Sequence, residues 1–342
     1  MLNEDPPSSR LGVGAERTVE RRLLLAMAHW TQYALLSGPS VRGQSEVPSG
    51  SADISHGAAL VPCPVCRSRR FRERYGPIRQ CCDCGLGMVN PLGEFRGEHE
   101  TEEYFLRDYL PLHLASRECS LAERRAHIAT VLRYFELPSA PKHLDVGCAL
   151  GFMLEEAKAA GWNPAGVETS EFAAYYAAQH TGCPVYAGTL QKAALPPESF
   201  DVVTLMDVIE HVPEPLELIA EVYRILRPGG VLLIVTPNFG SLFVRLYGRN
   251  AYGIWPDQHI VYFQPSTMAR LLRSVGFGEV LAGSKDFYAD NLRRLLRRNP
   301  AQSAEIKNAF GKQPALGKVR KMINRILMHT SLGDKLLALA QK

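Results

Sequence analysis

The sequence contains no run of the roughly 18 apolar residues that a helix needs to cross a bilayer. The most apolar stretch, at 21–38, has the charged start that is typical of a signal peptide. Polar residues at 29–32 interrupt it, however, and no small-residue cleavage site follows. One helical stripe holds Leu23, Met27, Trp30 and Ala34. We therefore expect a short amphipathic helix there and a cytoplasmic protein.

Strong overall charge is also absent, since the 342 residues sum to only +4, with 46% hydrophobic and 22% charged residues. This composition predicts an ordinary globular protein with one to three domains. The charge is uneven, because residues 285–342 hold 13 Lys and Arg against 4 Asp and Glu. Such a basic segment indicates contact with phosphates or with a membrane surface as a peripheral partner. A solvated helical face is an equally good interpretation.

Cysteine is sparse except in one place, where five of the eight cysteines lie within 22 residues. Two C-x-x-C pairs, Cys63 with Cys66 and Cys81 with Cys84, are separated by 14 residues. Four thiolates on two tight turns are typical of a tetrahedral structural zinc site. Cys82 is a spare that leaves a second ligand set open. A closed Cys₄ site has no position for a substrate, so we predict a structural Zn²⁺.

Arginine is abundant around these cysteines, at positions 67, 69, 70, 72, 74 and 79. These side chains could bind a phosphate backbone. They could equally be the solvated surface of a fold too small to bury them, which is the interpretation we favour from the sequence. The segment before the cysteines, 37–60, is rich in Ser, Gly and Pro and predicts a flexible linker.

From about residue 141 to 283, strand and helix patterns alternate, which predicts a parallel sheet with helices on both faces. It begins with a strand ending at Val146, a glycine-rich turn at 147–151 and a helix. Such a turn offers free backbone N–H groups to a ligand. A second strand ends at Glu168, where a carboxylate can accept both hydroxyls of a ribose. These features together predict an adenosine-bearing cofactor.

The dinucleotide fingerprint G-x-G-x-x-G is missing, because Ala149 and Phe152 stand where its second and third glycines belong. The pattern Asp145-x-Gly147-x-Ala149-x-Gly151 instead resembles motif I of class I S-adenosylmethionine-dependent methyltransferases. "FDVV", "DVIEHV", "LRPGG" and "VTPN", within 199–238, resemble later motifs of that family. The cysteine ribbon followed by "CGLGMVNP" is similar to a bacterial branch of it.

The resemblance implies a Rossmann-like α/β fold with a seven-stranded methyltransferase sheet, helices on both faces and a small zinc ribbon in front. It implies S-adenosylmethionine as cofactor, with the methionine part at Asp145 and the turn, and the ribose at Glu168. Asp207 is expected to contact the cofactor. The acidic residue that often follows the third strand is missing, so Thr189 is the remaining side-chain candidate for the adenine. The cofactor residues expected on this basis are Asp145, Gly147, Ala149, Gly151, Glu168, Thr189 and Asp207.

Methyl transfer to a hydroxyl also requires removal of a proton. His211 and His259 lie at the expected carboxyl edge of the sheet, and imidazole titrates near neutral pH, so both are general-base candidates. Alternatively, the Glu210–His211 pair only caps a turn. Cys148 is interpreted as a packed side chain and not as a nucleophile.

We expect a methyltransferase acting on a hydroxyl of a small molecule, a sugar or a lipid-linked glycan. A zinc-ribbon RNA methyltransferase is a weaker alternative, because "MDVIEHVPEP" lacks the Asn/Asp-Pro-Pro-aromatic turn that clamps a flipped base. A non-catalytic scaffold is the other alternative. The expected domains are an N-terminal helix and linker, the ribbon, a helical connector or substrate cap, the cofactor-binding core, and a basic helical segment with a final strand. Their bounds are 1–60, 61–92, 93–140, 141–283 and 284–342.

Overall fold

The structure is a computed structural model that describes residues 61–89, 102–287, 326–327 and 329–342. The expected N-terminal helix and linker, and most of the basic segment after residue 287, lie outside these residues. No helix within the described part of the chain is long and apolar enough to span a membrane. Residues 102–116 belong to one compact unit, while the ribbon and the large sheet belong to another.

The large sheet has seven strands in the spatial order β10-β11-β8-β7-β4-β5-β6. The five strands from β6 to β8 in this order are parallel, and β11 and β10 add antiparallel to β8. The seven-stranded α/β fold is therefore confirmed, including the final strand. The strands are β4 (Lys142–Val146), β5 (Asn163–Glu168), β6 (Val185–Ala187), β7 (Phe200–Met206), β8 (Leu226–Pro237), β10 (Glu279–Lys285) and β11 (Lys335–Gln341).

The chain runs from β4 outward to β6 and then returns to β7 on the other side of β4. The carboxyl ends of β4 and β7 thus flank the point where the strand order reverses, which is where open α/β sheets bind ligands. The helices are α1 (Glu102–Tyr104), α2 (Leu110–Ala115), α3 (Arg117–Tyr134), α4 (Phe152–Ala159), α5 (Glu171–Thr181), α6 (Pro215–Ile225), α7 (Leu242–Tyr247) and α8 (Pro265–Val275), with a π-helix at Phe105–Tyr109 and 3₁₀ turns at Ile209–His211 and Gly248–Asn250.

Alternating side chains of the strands supply two hydrophobic clusters. Val202 and Leu233 belong to a cluster with residues of α3 and α4, such as Val131 and Met153. Their neighbours Val203 and Leu232 belong to a cluster with residues of α6 and α8. Because β7 is buried along its whole length, it reads as a continuous apolar run interrupted only by Asp201 and Thr204.

The ribbon is built from β1 (Phe71–Tyr75), β2 (Ile78–Cys81) and β3 (Gly87–Val89). A fourth strand, β9 (Val261–Tyr262), comes from the other end of the chain and pairs with β3. The buried ribbon side chains Cys81 and Met88 lie in the same hydrophobic cluster as α6 and α8. The ribbon is therefore part of the sheet domain's core rather than a separate module.

Gly87 sits where this junction is tightest. A Cβ there would lie 2.9 Å from ring carbons of Phe239 and 3.1 Å from the Cβ of Tyr262. Both neighbours are buried, so neither ring can move aside without displacing the core. Only glycine allows β3 to approach β9 this closely.

We predict that Gly87→Ala lowers the free energy of unfolding by about 1–3 kcal/mol, the usual cost of overpacking. Urea denaturation measures it. Gly278→Ala is the matched control, because a Cβ at Gly278 has no neighbour within 4 Å. Equal effects of the two substitutions would show that β3 and β9 are not packed as described.

Candidate functional site

The glycine-rich turn after β4 has a left-handed backbone at three positions, with φ values of 72° at Gly147, 49° at Ala149 and 82° at Gly151. Packing adds a second constraint. A Cβ at Gly147 would lie 2.4 Å from Cγ2 of Val208, and one at Gly151 would lie 2.8 Å from Cγ2 of Thr181. The glycines therefore satisfy both a conformational and a steric requirement, whereas Ala149 adopts a conformation that is unfavourable for a residue with a Cβ.

The amides of this turn are not bare, which differs from the sequence-based expectation. Gly147 and Cys148 both donate to the carbonyl of Val167, at 2.8 and 3.1 Å, and Gly151 donates to the carbonyl of Cys148 at 2.8 Å. Ala149 donates to Oε2 of Glu168 at 2.8 Å. The amides of Gly147, Cys148 and Ala149 thus bond β5, and that of Gly151 bonds the turn itself, so all four donate to the protein.

Glu168 is half-buried at the end of β5, and both of its carboxylate oxygens accept hydrogen bonds, one of them from the turn. Oε2 accepts from Ala149, and Oε1 accepts from the amide of Ser170 at 2.9 Å and the hydroxyl of Thr169 at 3.3 Å. A carboxylate has about four acceptor positions. Glu168 can thus keep its backbone partners and still accept a ligand hydroxyl.

Asp145 lies on β4, two residues before Gly147, and is only 3% exposed. The hydroxyl of Thr204 on β7 donates to its Oδ1. Since the one hydroxyl proton is used there, Nε2 of His143 donates to the same Thr204 oxygen across 2.9 Å. Burial raises the pKa of Asp145 to about 7 and lowers that of His143 to about 3. The three side chains join β4 to β7 beneath the crevice.

Thr189 and Asp207 follow the carboxyl ends of β6 and β7, and both side chains are exposed. The Thr189 hydroxyl accepts from the amide of Lys192 at 3.3 Å, so it also caps a turn. Its neighbour Gly188 donates to the backbone carbonyl of Glu168 at 2.7 Å, which places Thr189 beside the ribose candidate. Asp207 has φ of 56°, a conformation that costs energy outside glycine and is concentrated at functional sites.

Glu210, His211 and His259 converge next to Asp207. One ligand atom from each of the three lies within 4.8 Å of the others, and the two imidazole rings are 4.9 Å apart. Nδ1 of His211 lies 2.9 Å from the carbonyl of Gln258, and Nδ1 of His259 lies 3.2 Å from that of Gly253. Because a carbonyl only accepts, both Nδ1 atoms carry a proton, and in the neutral form of each ring the lone pair is on Nε2.

The three side chains differ electrostatically. Burial, and then the neighbouring His211, lower the pKa of His259 to about 4, so it is a weak proton acceptor. Burial, and then Asp207, raise the pKa of Glu210 to about 8. Its Oε2 accepts from Thr236 at 2.8 Å, whereas its buried Oε1 has no hydrogen-bond partner. Two imidazoles and a carboxylate can hold a proton or a divalent cation.

The expected metal ligands Cys63, Cys66, Cys81 and Cys84 also converge, with all four Sγ atoms within 4.8 Å of one another. Sγ of Cys63 is 3.5 Å from that of Cys84, and Sγ of Cys66 is 3.5 Å from that of Cys81. Zn–S bonds of about 2.3 Å in a tetrahedron give sulfur separations of about 3.8 Å, so the donor set fits Zn²⁺. Cys82 is exposed and outside this set.

The two cysteine turns have the same backbone hydrogen bond and the same left-handed residue. The amide of Arg67 donates to the carbonyl of Cys63, and the amide of Gly85 donates to that of Cys81. The residue after each second cysteine is left-handed, with φ of 60° at Arg67 and 83° at Gly85. Cys148 lies outside this set, in a hydrophobic cluster with Leu154, and burial raises the pKa of its thiol.

Comparison with known proteins agrees with this geometry. Residues 117–281 match the family model described as "Methyltransferase domain". The match supports the resemblance of this segment to class I S-adenosylmethionine-dependent methyltransferases. The left-handed turn, the carboxylate at the end of β5 and the reversal of strand order all lie within this segment.

Curated relatives of the methyltransferase domain include "Ubiquinone biosynthesis O-methyltransferase" of Aromatoleum aromaticum, 33% identical over 145 residues, which are 39% of this chain and 62% of the relative. The protein of the same name from an Azoarcus species is 27% identical over 58% of this chain and 81% of its own length. The chain thus spans less than two thirds of the first relative. A crystal structure of a SAM-dependent methyltransferase from Archaeoglobus fulgidus is 22% identical, with a TM-score of 0.48 over 69% of this chain and all of that one.

The bond of Thr204 to Asp145 and the burial of Glu210 were not predicted from the sequence. A threonine inside the apolar run of β7 was the available signal for the first. Nothing local signals the second, because Thr236 and the β9 segment that enclose Glu210 come from distant parts of the chain. Asn238, which directly follows β8, donates from its side chain to the carbonyls of Ser331 and Gly333 and has a structural role.

We predict that Cys84→Ser or Cys66→Ser reduces bound zinc from about one per chain to near zero and lowers the melting temperature, because a structural site needs all four thiolates. Metal analysis of the purified protein measures the loss. Cys82→Ser is the control and should retain zinc. Zinc that persists in both ligand variants would mean that the ligands are others.

Proposed function

We propose that the protein transfers a methyl group from S-adenosylmethionine to a hydroxyl of a small molecule. The observation that carries the proposal is the convergence, at one edge of the sheet, of the Glu168-held turn and the Glu210–His211–His259 cluster. The two O-methyltransferase relatives support a hydroxyl acceptor. A sugar or a lipid-linked glycan remains within the proposal as a subclass of acceptor.

The cofactor residues have distinct roles in this proposal. Glu168 accepts the ribose hydroxyls through lone pairs that its backbone partners leave available. Gly147, Ala149 and Gly151 contribute a closely packed surface rather than amide donors, because their N–H groups already bind the protein. Asp145 supports the turn from below, and Thr189 and Asp207 border the adenosyl side. When bound, S-adenosylmethionine supplies an electrophilic methyl group on a sulfonium.

The acceptor proton goes to His211 in this proposal. Its Nδ1–H is oriented by the carbonyl of Gln258, so Nε2 presents a lone pair toward the cluster. His259, whose pKa is lowered to about 4, orients the acceptor rather than taking its proton. Glu210 completes the cluster beneath them. If Glu210, His211 and His259 instead held a divalent cation, the cation would lower the pKa of a bound hydroxyl.

We propose that zinc at the four cysteines has a structural role in this activity. The ribbon supplies β3 as the partner of β9, and β9 begins two residues after His259. The amide of Val89 also donates to the carbonyl of Ile260 at 3.0 Å, and that of Ile260 to the carbonyl of Glu210 at 2.9 Å. Stapling the ribbon therefore fixes the backbone on which His259 stands.

We predict that Glu168→Gln weakens S-adenosylmethionine binding by about tenfold or more, since a charged acceptor is lost and an NH₂ group would face a backbone N–H. Calorimetry with the full chain measures it, and zinc content should not change. Glu171→Gln, an exposed carboxylate three residues on, is the control. An adenosylhomocysteine analogue without ribose hydroxyls distinguishes loss of the ribose contact from distortion of the turn. The wild type should bind this analogue poorly, and Glu168→Gln should bind it and adenosylhomocysteine equally. Unchanged affinity would remove the ribose assignment.

We predict that His211→Ala lowers kcat by about 10²–10⁴-fold, the usual contribution of a positioned base, while affinity for S-adenosylmethionine stays within about twofold. Formation of S-adenosylhomocysteine with a panel of catechols, sugars and polyprenyl-linked glycans identifies the acceptor and measures kcat. His329→Ala, at an exposed position, is the control. Activity that is lost in EDTA and restored by Mg²⁺ would show that the cluster binds a cation. Full activity of His211→Ala would exclude both proton transfer and cation binding by His211.

A further inference from the structure

A solvent-open cavity of about 540 Å³ lies where the ribbon meets the methyltransferase domain. Its walls come from β1, β2 and the second cysteine turn on one side, and from the segment after β8, helix α7 and Gln264 on the other. Its volume lies in the range of small-molecule sites, about 300–1,000 Å³. Neither the cofactor framework nor the histidine cluster includes any of its lining residues.

The charge in this cavity is unbalanced. Arg72, Arg74 and Arg245 line it, and Asp83 is its one acidic lining residue. Asp83 pairs with Arg70 outside the lining, at 3.5 Å. Within the described part of the chain, no carboxylate lies within 4.0 Å of the three guanidinium groups. The three side chains are exposed, so water screens their mutual repulsion, and thiolates of the proposed zinc site also line the cavity. Their guanidinium N–H groups still have no carboxylate partner and can donate to an anionic ligand.

Two of the arginines are held in place by backbone and amide acceptors. Arg72 donates through Nη2 and Nε to Oε1 of Gln80, at 2.8 and 3.3 Å. Gln80 is buried and donates in turn to the carbonyl of Gly85, in the second cysteine turn. Arg245 donates from Nε to the carbonyl of Gly240 at 3.0 Å. These bonds orient the guanidinium groups and leave further N–H donors on each.

Two segments that line the cavity also adjoin the proposed acceptor side along the chain. Gly240 and Phe239 line it and directly follow Asn238, at the carboxyl end of β8. Gln264 lines it and follows His259 by five residues, through β9. A molecule that placed a hydroxyl at the histidine cluster could therefore extend along these two segments into the cavity, with the ring of Phe239 as an apolar contact.

We propose that this cavity binds the phosphate group of a phosphorylated acceptor through Arg72, Arg74 and Arg245. A tetrahedral phosphate offers oxygens in several directions, which suits guanidinium groups that reach it from two sides better than a planar carboxylate does. The identification of the ligand as the acceptor rests on the methyltransferase function proposed above. The binding of phosphate by the cavity is independent of that function. The phosphate can belong to a soluble molecule or to a lipid-linked one.

The test is a calorimetric titration of the zinc-loaded full chain with inorganic pyrophosphate at physiological salt. We expect saturable binding that weakens by about tenfold or more in Arg245→Gln and in Arg72→Gln, since each loses charge-assisted hydrogen bonds. Arg69→Gln, an exposed arginine of the same ribbon outside the cavity, should bind as wild type. Retained zinc and S-adenosylmethionine affinity show that the variants fold.

Vesicles of phosphatidylcholine with and without phosphatidic acid distinguish the source. Binding of phosphatidic acid vesicles that depends on Arg245 and is displaced by pyrophosphate indicates a lipid-linked phosphate, while pyrophosphate binding alone indicates a soluble one. No saturable binding of either probe by wild type, or an equal loss in Arg69→Gln, overturns the proposal. Pyrophosphate binding in a chain that fails to bind S-adenosylmethionine would leave the phosphate site intact and refute the methyltransferase function separately.

Discussion

The hydrogen bond from the Ala149 amide to the Glu168 carboxylate is the contact on which the proposed cofactor crevice depends. It joins the turn after β4 to the end of β5, and both lie beside the point where the strand order reverses. Without it, the strained backbone of Ala149 would have no compensating partner, since the turn's other bonds to β5 go to Val167 alone. One carboxylate thus shapes the site and remains available to a ligand.

This arrangement changes what the glycine motif means physically. The motif is usually explained by access to backbone donors, yet here Gly147 and Gly151 are required by left-handed φ values and by side chains that would collide with any Cβ. The crevice follows from that close packing against Val208 and Thr181. Ala149, which replaces a glycine of the family pattern, tolerates its conformation because the Glu168 bond fixes its amide.

The order of strands, the turn and the four cysteines could be predicted because each has a local signature: period-two or continuous apolar runs, glycines at a fixed spacing and C-x-x-C pairs. The joining of the ribbon to the core could not. It depends on β9, a strand of two residues that pairs with β3 more than 170 positions away in the chain. The arginines show the same limit, because Arg79 is 2% exposed against the ring of Phe71, whereas the favoured interpretation placed the whole group at the solvated surface.

The position of β9 has a consequence for how a structural metal can affect chemistry. The ribbon does not reach the histidine cluster, but Gly87 and Met88 pair with Tyr262 and Val261 directly after His259. The hydroxyl of Thr267 and a guanidinium nitrogen of Arg270 bond carbonyls of the second cysteine turn, at Cys84 and Asp83. Loss of zinc would therefore weaken the contacts of the ribbon with β9 and with α8 at the same time. In the proposed methyl transfer, the contact with β9 would link the metal to the placement of His259. Loss of zinc should therefore alter turnover before it alters the affinity for S-adenosylmethionine, whose proposed binding residues lie at the ends of β4 and β5.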